Sequence, residues 1–261
     1  MMKYSTIECE VKGKIALINI NRVNKGNSFN KEMVLEFTDF FKNARSELGI
    51  YVVVITTRNE KYFSCGADID EMFSNDIIGN RSSFEFLAEL YETIRTSPIV
   101  TISAVNGLAI GAGCGLAAVS DMVIATQNAK FGLPEIRIGL APLVVLIPLI
   151  RVIGHKKAML LALEGELIDA TRAHDLGLVD CLVTDSSELH EESLRIAENF
   201  ASSSNVTLIQ IKKSMLDADV FDYKTYYEYM VNALTCQMLN NETKAVLDEY
   251  RNKKLAKKQK R

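Results

Sequence analysis

The chain has 261 residues and a mass of 29.1 kDa, enough for one large domain or two modest ones with a sizeable core. Hydrophobic residues make up 48% and charged residues 24%, with 14 glycines and 4 prolines, which excludes a disordered, collagenous or low-complexity chain. The 30 Lys and Arg against 33 Asp and Glu give a net charge of −3, which argues against bulk electrostatic binding to nucleic acid or membranes.

Cysteine usage and the start of the chain predict a reducing compartment. The 5 cysteines form no Cys-x-x-Cys pair, and Met1–Thr6 lacks the apolar stretch of a secretory signal, so a disulfide framework is not expected. The longest apolar run, residues 138–150, contains two prolines and is shorter than the roughly 18 residues of a membrane span. We therefore predict a cytoplasmic protein that does not enter a membrane, with a buried helix over this run.

The N-terminal residues predict strands and a helix in alternation. Two strands are expected within residues 4–20, on either side of the turn Lys12-Gly13. Asn30 is a candidate N-cap for a helix, because apolar residues recur after it at intervals of three and four. Those apolar residues are Met33, Val34, Phe37, Phe41, Ala44 and Leu48. A buried strand is predicted over residues 51–56, followed by a glycine-containing loop over residues 63–69.

The middle of the chain continues this alternation. Residues 84–95 have helical spacing, and Pro98 and a strand over residues 99–105 follow them. The densest glycine cluster, Asn106–Gly115, opens a further apolar segment, and Met122–Ala125 is typical of another strand. Because helices separate strands that are apolar on both faces, we predict an α/β fold with a largely parallel sheet.

The C-terminal third is predicted to be almost wholly helical. The expected helices cover residues 142–153, 155–163, 186–202, 205–217, 222–240 and 242–257, interrupted by a short strand near residues 178–183. Several aromatic residues in the last helices are candidates for packing on another subunit or within the same chain: Phe221, Tyr223, Tyr226, Tyr227 and Tyr229. The basic tail Lys253–Arg261 is predicted to be a solvated helix end.

The glycine cluster admits three interpretations. It follows a strand, as a dinucleotide-binding fingerprint would, but that pattern requires glycine at position 116, where Leu116 stands. A tight strand-to-helix turn with close backbone packing is the second interpretation. The third is a helix N-terminus whose free N–H groups stabilise a developing oxyanion. The loop at residues 63–69 favours this third interpretation, because Ala67 could present a second N–H donor.

Other catalytic arrangements find little support in the sequence. The chain contains no Gly-x-Ser-x-Gly and no His-Glu-x-x-His motif. The histidines His155, His174 and His190 have no partner residues at metal-ligand or catalytic-triad spacing. Serine-type and zinc hydrolysis are therefore disfavoured, and no metal site is predicted.

Five ordered motifs together resemble the crotonase superfamily of enoyl-CoA hydratases and isomerases. They are Phe63–Ile69, Ala104–Gly115, Asp121, Phe131–Glu135 and Asp175–Asp180. The resemblance extends over residues 5–255 and is specific for the superfamily, although much less specific for one reaction within it.

The resemblance implies a crotonase-like spiral of ββα units over residues 1–200, containing an acyl-CoA site. A helical C-terminal trimerisation region would follow over residues 201–261. The implied protein is a homotrimer or a dimer of trimers that acts on acyl-CoA thioesters. It needs no cofactor beyond the coenzyme A of its substrate.

The resemblance also assigns catalytic positions. The thioester oxygen would be held by the N–H groups of Ala67 and Ala112, which stabilise an enolate. Hydratases of the family use two glutamates. One of them matches Glu135, and the other falls at Gly115, where the carboxylate is missing. Proton transfer from C2 to C4 of a 3-enoyl-CoA needs a single base, whereas water addition conveniently divides two tasks between two carboxylates.

The coenzyme A site is expected along two loops. The residues that the resemblance places there are Lys25, Asn27, Cys65, Asp68 and Ile69. Lys25 and Asn27 lie in a segment similar to the family's N-R-P-x-K-x-N, although Val23 replaces the proline. A structural role stays open for these residues: Asp68 is a candidate helix cap, and Cys65, like Cys114, is a candidate buried thiol. The apolar residues 140–146 are predicted to line the acyl end of the site or to face the core.

The favoured hypothesis is an enoyl-CoA isomerase that uses Glu135 as its acid and base. An enoyl-CoA hydratase is the nearest alternative. Decarboxylation or thioester hydrolysis of another acyl-CoA would use the same oxyanion hole. A non-catalytic protein that binds acyl-CoA, or associates with RNA through its basic tail, is the alternative of a different class.

Overall fold

The structure is a computed structural model that describes residues 4–72, 76–217 and 223–259. The side chains of residues 72, 217, 223, 226 and 253–259 lie outside that description. The chain divides into two compact units, Met1–Glu198 and Asn199–Arg261.

Strands and helices alternate through residues 4–201. In chain order they are β1 (Ile7–Lys12), β2 (Ile15–Ile20), α1 (Lys31–Leu48), β3 (Val52–Thr56), β4 (Tyr62–Ser64), α2 (Ile69–Met72), α3 (Ile77–Thr96), β5 (Val100–Val105), β6 (Leu108–Ile110), α4 (Ala112–Val119), β7 (Met122–Thr126), β8 (Lys130–Gly132), α5 (Leu143–Ile153), α6 (His155–Glu164), β9 (Leu167–Asp169), α7 (Ala170–Leu176), β10 (Cys181–Val183) and α8 (Ser186–Ala201).

Two sheets organise the first unit. Among the described residues, the larger sheet has the order β1-β2-β3-β5-β7-β10, and its pairs are parallel except for the antiparallel pair β1-β2. The smaller sheet has the order β4-β6-β8-β9, with an antiparallel last pair. Successive units such as β3-β4-α3, β5-β6-α4 and β7-β8-α5 place their first strand in the larger sheet and their second in the smaller one. The predicted α/β spiral of ββα units is therefore confirmed.

Helix α1 shows why the local sequence folds as it does. The Asn30 side-chain oxygen accepts the N–H of Met33 at 3.0 Å, which confirms the predicted N-cap. The predicted apolar positions are buried except Leu48, which is half-buried. The Phe37 ring stacks on Phe29 with a centroid distance of 6.2 Å. This contact holds the helix against the segment that leads to Asn30.

Several elements differ from the predictions. Helix α3 begins at Ile77 rather than near residue 84, and β9 and α7 lie between residues 163 and 178, where the sequence predicted no element. The strands β4, β6, β8 and β9 are three residues long, so they have no period that a sequence pattern can reveal.

The predicted buried helix at residues 138–150 is partly wrong. Helix α5 begins at Leu143, and its buried side includes Val145 and Leu149. Leu143 and Ile147 are 68% and 60% exposed. Helix α5 is apolar on every side, and the part of its surface that does not pack against the rest of this chain is therefore exposed.

The second unit is helical over its described residues. It contains α9 (Asn205–Asp217), α10 (Tyr223–Gln237) and α11 (Asn241–Gln259). The Gln237 amide donates to the Thr207 hydroxyl at 3.0 Å, which links α10 to α9, and Glu242 of α11 accepts the N–H of Asn205 at 2.9 Å.

Part of the predicted C-terminal surface lies outside the described residues. Of the aromatic residues predicted to pack on another subunit or within the same chain, Tyr227 is exposed and Tyr229 is half-buried. The side chains of Phe221, Tyr223 and Tyr226 and of the basic tail from Lys253 are not described. In the described ranges, no helix has the length and hydropathy that crossing a membrane requires.

Gly107 is the residue of this fold for which we expect the largest effect of a single added methyl group. Its φ is +73°, and a Cβ there would lie 2.4 Å from the Lys61 carbonyl carbon and oxygen. Gly13 has a similar φ of +60° but no atom within 4 Å of such a Cβ. Urea unfolding should show Gly13→Ala losing about 1–2 kcal/mol from backbone strain alone. We expect about 3–5 kcal/mol for Gly107→Ala, because backbone must also move. Equal losses would contradict the close approach.

Candidate active site

Two loops meet at the centre of the candidate site. The loop after β4 approaches the loop before α4 so closely that a Cβ on Gly66 would lie 3.0 Å from the Ile110 carbonyl oxygen. The same atom would lie 3.6 Å from the Ala112 nitrogen. The structure therefore brings together the two segments from which the sequence predicts oxyanion donors.

The first loop is held by backbone hydrogen bonds that leave the Ala67 N–H outside them. The Phe29 N–H donates to the Gly66 carbonyl at 2.7 Å, and the Asp68 N–H donates to the Phe29 carbonyl at 2.8 Å. These two bonds form a parallel bridge between Phe29 and Ala67. The bonded groups are the Gly66 carbonyl and the Asp68 N–H, so the bridge does not use the N–H of Ala67.

The second predicted donor, the N–H of Ala112, lies at a helix N-terminus. Ala112 is the first residue of α4, so its N–H is among those without an intrahelical acceptor. The preceding N–H, of Gly111, donates to the Gly132 carbonyl at 3.0 Å and thereby fixes the turn to β8. The helix dipole adds partial positive charge at this end of α4.

Glu135 carries the carboxylate of the site. It lies in the 3-10 turn Pro134–Ile138, directly after β8. A Cβ on Gly111 would lie 2.6 Å from its Oε1, so the missing side chain at position 111 makes room for the carboxylate. Its Oε2 is buried and has no hydrogen-bond partner among the described residues. Burial raises the pKa of Glu135, and its own backbone N–H lowers it by a smaller amount. Such a group is suited to accept a proton and to return it.

The apolar segment that follows begins beside this glutamate. The Leu140 N–H donates to the Glu135 carbonyl at 3.0 Å. Leu140 and Leu143 are exposed, and Val145 is buried. The segment thus presents both exposed and core-facing aliphatic side chains, and its predicted contact with an acyl chain stays a prediction.

The two cysteines that border the donor loops have weakly acidic thiols. Cys114 is fully buried, which raises its pKa to about 12. Cys65 is half-buried, and burial raises its pKa as well. A thiol that stays protonated is a poor nucleophile, which agrees with the interpretation of both residues as structural thiols.

Arg22 holds the first loop, and the sequence analysis did not identify it. Its guanidinium donates to Asp68 at 2.7 Å and also pairs with Glu71. It donates further to the Ser28 carbonyl at 3.1 Å and hydroxyl at 2.9 Å. Burial alone would raise the pKa of Asp68, but the hydrogen bond and charge of Arg22 outweigh it, so the pKa is lowered. The carboxylate also accepts the backbone N–H of Glu71, so its predicted capping contact is present.

The residues predicted to contact coenzyme A divide into exposed and buried groups. Lys25 and Ile69 are exposed and Cys65 is half-buried, so each has surface that a ligand can reach. Asn27 is 0% exposed, and its amide donates to the Thr57 hydroxyl at 2.9 Å and to the Tyr62 carbonyl at 3.1 Å. The side chains of Asn27 and Asp68 therefore anchor the loops from within and leave little or no surface for a ligand.

Gly115 lies next to the Tyr91 side chain, a neighbour that the sequence did not predict. Helix α4 has the sequence Ala-Gly-Cys-Gly-Leu-Ala-Ala-Val and contains no carboxylate. The Tyr91 hydroxyl, from α3, donates to the Ala112 carbonyl at 2.8 Å. The sequence pattern identifies Tyr91 only as an apolar position of a helix. It does not reveal the hydrogen bond, because Ala112 lies 21 residues further along the chain.

The described histidines lie at the surface or bond another part of the chain. The His174 ring nitrogen bonds the Val179 carbonyl at 2.8 Å, and His155 and His190 are exposed. Within residues 4–72, 76–217 and 223–259, no group of three potential ligands could hold a metal ion.

Removal of the Asp68 charge should weaken the first loop. The Asp68 side chain is 5% exposed, so we expect Asp68→Asn to lower the free energy of unfolding by about 1.5–3 kcal/mol at pH 7. Glu89→Gln is the matched control, because Glu89 pairs with Lys42 on the surface, where both side chains are 53% exposed. It should cost no more than about 1 kcal/mol.

The same pair predicts a pH dependence. The folded-state pKa of Asp68 lies below its ordinary value of 3.8, so its contribution is fully present above that value and is lost as the pH falls below it. Thermal unfolding at pH 7, 5 and 3.5 should therefore show a constant difference between the wild type and Asp68→Asn at the two higher values and a smaller one at the lowest. A difference that already disappears at pH 5 would contradict this ion pair.

Comparison with known proteins agrees with this geometry. The sequence profile described as enoyl-CoA hydratase/isomerase matches residues 10–257. The 2,3-dehydroadipyl-CoA hydratase of Escherichia coli is 33% identical over 203 residues, which cover 77% of this chain and 78% of that protein. The short-chain-enoyl-CoA hydratase of Clostridium acetobutylicum is 30% identical over 215 residues, covering 82% of each.

Solved structures show the same similarity. The structure of DspI from Pseudomonas aeruginosa superposes with a TM-score of 0.91 and 27% identity, covering 97% of this chain and 96% of that one. An enoyl-CoA hydratase from Bacillus anthracis gives a TM-score of 0.89 and 25% identity, with 95% and 97% coverage. The ββα spiral, the meeting of the two donor loops and the profile match over nearly the whole chain lead to one conclusion: this protein belongs to the enoyl-CoA hydratase/isomerase family of the crotonase superfamily.

Proposed function

We propose that the protein isomerises 3-enoyl-CoA thioesters to 2-enoyl-CoA thioesters. The observation that carries this proposal is the placement of Glu135 against Gly111, beside two converging donor loops, while helix α4 contains no carboxylate. One carboxylate is sufficient for proton transfer within a substrate.

The oxyanion site would bind the thioester carbonyl. The N–H groups of Ala67 and Ala112 would donate to its oxygen, which becomes negative when a proton leaves C2. Fixed backbone donors stabilise this charge without reorganising, and removal of one such donor typically costs about 10²- to 10³-fold in rate. Alanine serves at both positions because the backbone does the binding.

Glu135 would carry the proton. Its carboxylate takes a proton from C2, and the electrons of that C–H bond pass into a dienolate whose charge rests on the thioester oxygen. The same proton then returns to C4, the double bond settles between C2 and C3, and Glu135 is again a carboxylate. The reaction adds and removes no atoms, so it requires no second reactant and no cofactor.

The substrate's coenzyme A would lie along the exposed part of the two N-terminal loops. Lys25, Cys65 and Ile69 have the accessible surface for this role, and Lys25 supplies a positive charge suited to phosphate. Asn27 and Asp68 would act indirectly by holding those loops.

The C-terminal residues 201–261 are proposed to mediate assembly into a trimer or a dimer of trimers, around a core formed by residues 1–200. Exposed aliphatic and aromatic side chains in that segment support the proposal: Ile211, Met215, Tyr227, Val231, Leu234, Leu239, Val246 and Tyr250. We also propose that the protein is cytoplasmic.

Water addition is the second candidate function. The relatives from Escherichia coli and Clostridium acetobutylicum are named as hydratases, which favours the same reaction here. A hydratase would have to orient and deprotonate water with Glu135 alone, because position 115 supplies no carboxylate. The non-catalytic alternative requires coenzyme A binding without turnover, accompanied by RNA binding that depends on the basic tail and falls with salt.

The direct test compares two substrates of equal chain length. Purified protein is incubated separately with a 3-enoyl-CoA and a 2-enoyl-CoA, and products are followed by mass and retention time. We expect the 3-enoyl-CoA to change retention without a change of mass. Glu135→Gln should lower this rate by about 10²- to 10⁴-fold, because the base is lost while its size is retained.

Glu166→Gln provides the matched control. Its side chain is 71% exposed and pairs with Arg137 on the surface, so its rate should stay within about twofold of the wild type. A gain of one water on the 2-enoyl-CoA would overturn the isomerase in favour of the hydratase. Absence of turnover on both substrates, with coenzyme A still bound, would favour the non-catalytic alternative.

The pH profile should report the buried glutamate. Because burial raises the pKa of Glu135, the rate should fall with decreasing pH at a midpoint above the ordinary value of 4.5. The measurement is kcat/KM between pH 4.5 and 8, with circular dichroism at each pH to verify that the protein stays folded. A profile that is flat down to pH 4.5 would contradict the assignment of Glu135 as the base.

A further inference from the structure

Tyr91 lies directly behind the second oxyanion donor. It is 5% exposed on α3, and its hydroxyl donates to the Ala112 carbonyl at 2.8 Å. Ala112 opens α4 and carries the proposed donor N–H. The tyrosine therefore contacts the first turn of the helix on which the site depends.

The Tyr91 ring also fills the space next to Gly115. A Cβ on Gly115 would lie 2.3 Å from the Tyr91 hydroxyl oxygen and 2.7 Å from the ring carbon that carries it. Both distances are far shorter than non-bonded contacts permit. The backbone at this position cannot easily retreat, because the Gly115 N–H is bound to the Gly111 carbonyl at 3.0 Å. Any side chain at position 115 would thus have to displace the ring.

The surroundings keep this hydroxyl neutral. Burial raises the pKa of Tyr91 well above its ordinary value, and the charge of Glu135 raises it further. Tyr91 is therefore within electrostatic reach of Glu135 but cannot serve as a second base near neutral pH.

We propose that Tyr91 is a specificity-determining residue whose ring occupies the volume of a side chain at position 115 and thereby excludes a second acid–base group and its water from the site. This inference rests on the proposed isomerase function. It implies that a change at position 115 alone does not restore a working carboxylate, because the Tyr91 ring blocks the space that its side chain would need.

The test exchanges both members of the pair. Gly115→Glu overpacks the site, Tyr91→Ala leaves a cavity, and the double variant roughly conserves the combined volume. We expect each single change to lower Tm by roughly 5 °C or more, and the double variant to recover most of that loss. In the double variant, the rate of water addition to a 2-enoyl-CoA should rise at least about tenfold over the wild type, by analogy with other acid–base groups.

Two results would overturn the proposal. One is a double variant that recovers Tm while water addition stays at the wild-type level, since Tyr91 would then contribute packing alone. The other is Gly115→Glu with Tyr91 in place adding water as fast as the double variant, since the ring would then exclude nothing.

Two milder variants decide the question if the double variant does not fold. Tyr91→Phe keeps the ring, so the rate of water addition to a 2-enoyl-CoA should stay within about twofold of the wild type. Tyr91→Leu opens the space, and this rate should rise at least about threefold. An unchanged rate in Tyr91→Leu, or an equal rise in both variants, would overturn the proposal.

The readouts separate this inference from the isomerase proposal. Recovery of Tm and water addition to 2-enoyl-CoA are both measured without any isomerase activity. A wild type that leaves 3-enoyl-CoA unchanged would refute the isomerase, while the exchange of Tyr91 and Gly115 would still report whether the ring excludes water chemistry.

Discussion

The site depends on a close contact between two backbone segments. Gly66 stands so near the second loop that a methyl group at position 66 would crowd the Ile110 carbonyl oxygen and contact the Ala112 nitrogen. Gly111 allows the Glu135 carboxylate to approach in the same way. Because the N–H donors belong to the backbone, their positions follow from the sheet and helix that carry them. The backbone hydrogen bonds that hold these loops therefore place the proposed oxyanion donors as well.

Burial gives this arrangement its chemical character. Glu135 is half-buried and its Oε2 is buried, so water stabilises its charge less than in solution and the pKa of the carboxylate rises, while Cys114 and Tyr91 stay protonated beside it. A developing oxyanion in such surroundings interacts more strongly with fixed donors than it would in water. The buried pair of Arg22 and Asp68 acts differently, because it retains its charges in order to hold the first loop in place.

Much of the scaffold could be predicted from local patterns. The Asn30 cap and the apolar strands β2, β3 and β5 depend on neighbouring residues, so the sequence predicts them directly. The three-residue strands of the smaller sheet could not be found in this way, since three residues show no period. At the site, Glu135 and the donor loops came from ordered motifs, whose catalytic roles remain predictions. Arg22 and Tyr91 escaped detection because their partners lie 46 and 21 residues away.

Position 115 shows how the two kinds of information combine. In the sequence, Gly115 indicates that the carboxylate of the hydratases is missing. The sequence alone leaves open whether another group or a water molecule performs the acid–base role of that carboxylate. In the structure, that volume is filled by a neutral ring that also binds the helix carrying a proposed donor. A glycine that makes room for a tyrosine requires both residues to change together if a side chain is to return. The single-carboxylate site is then a property of α3 and α4 packed against each other, rather than of one substituted residue.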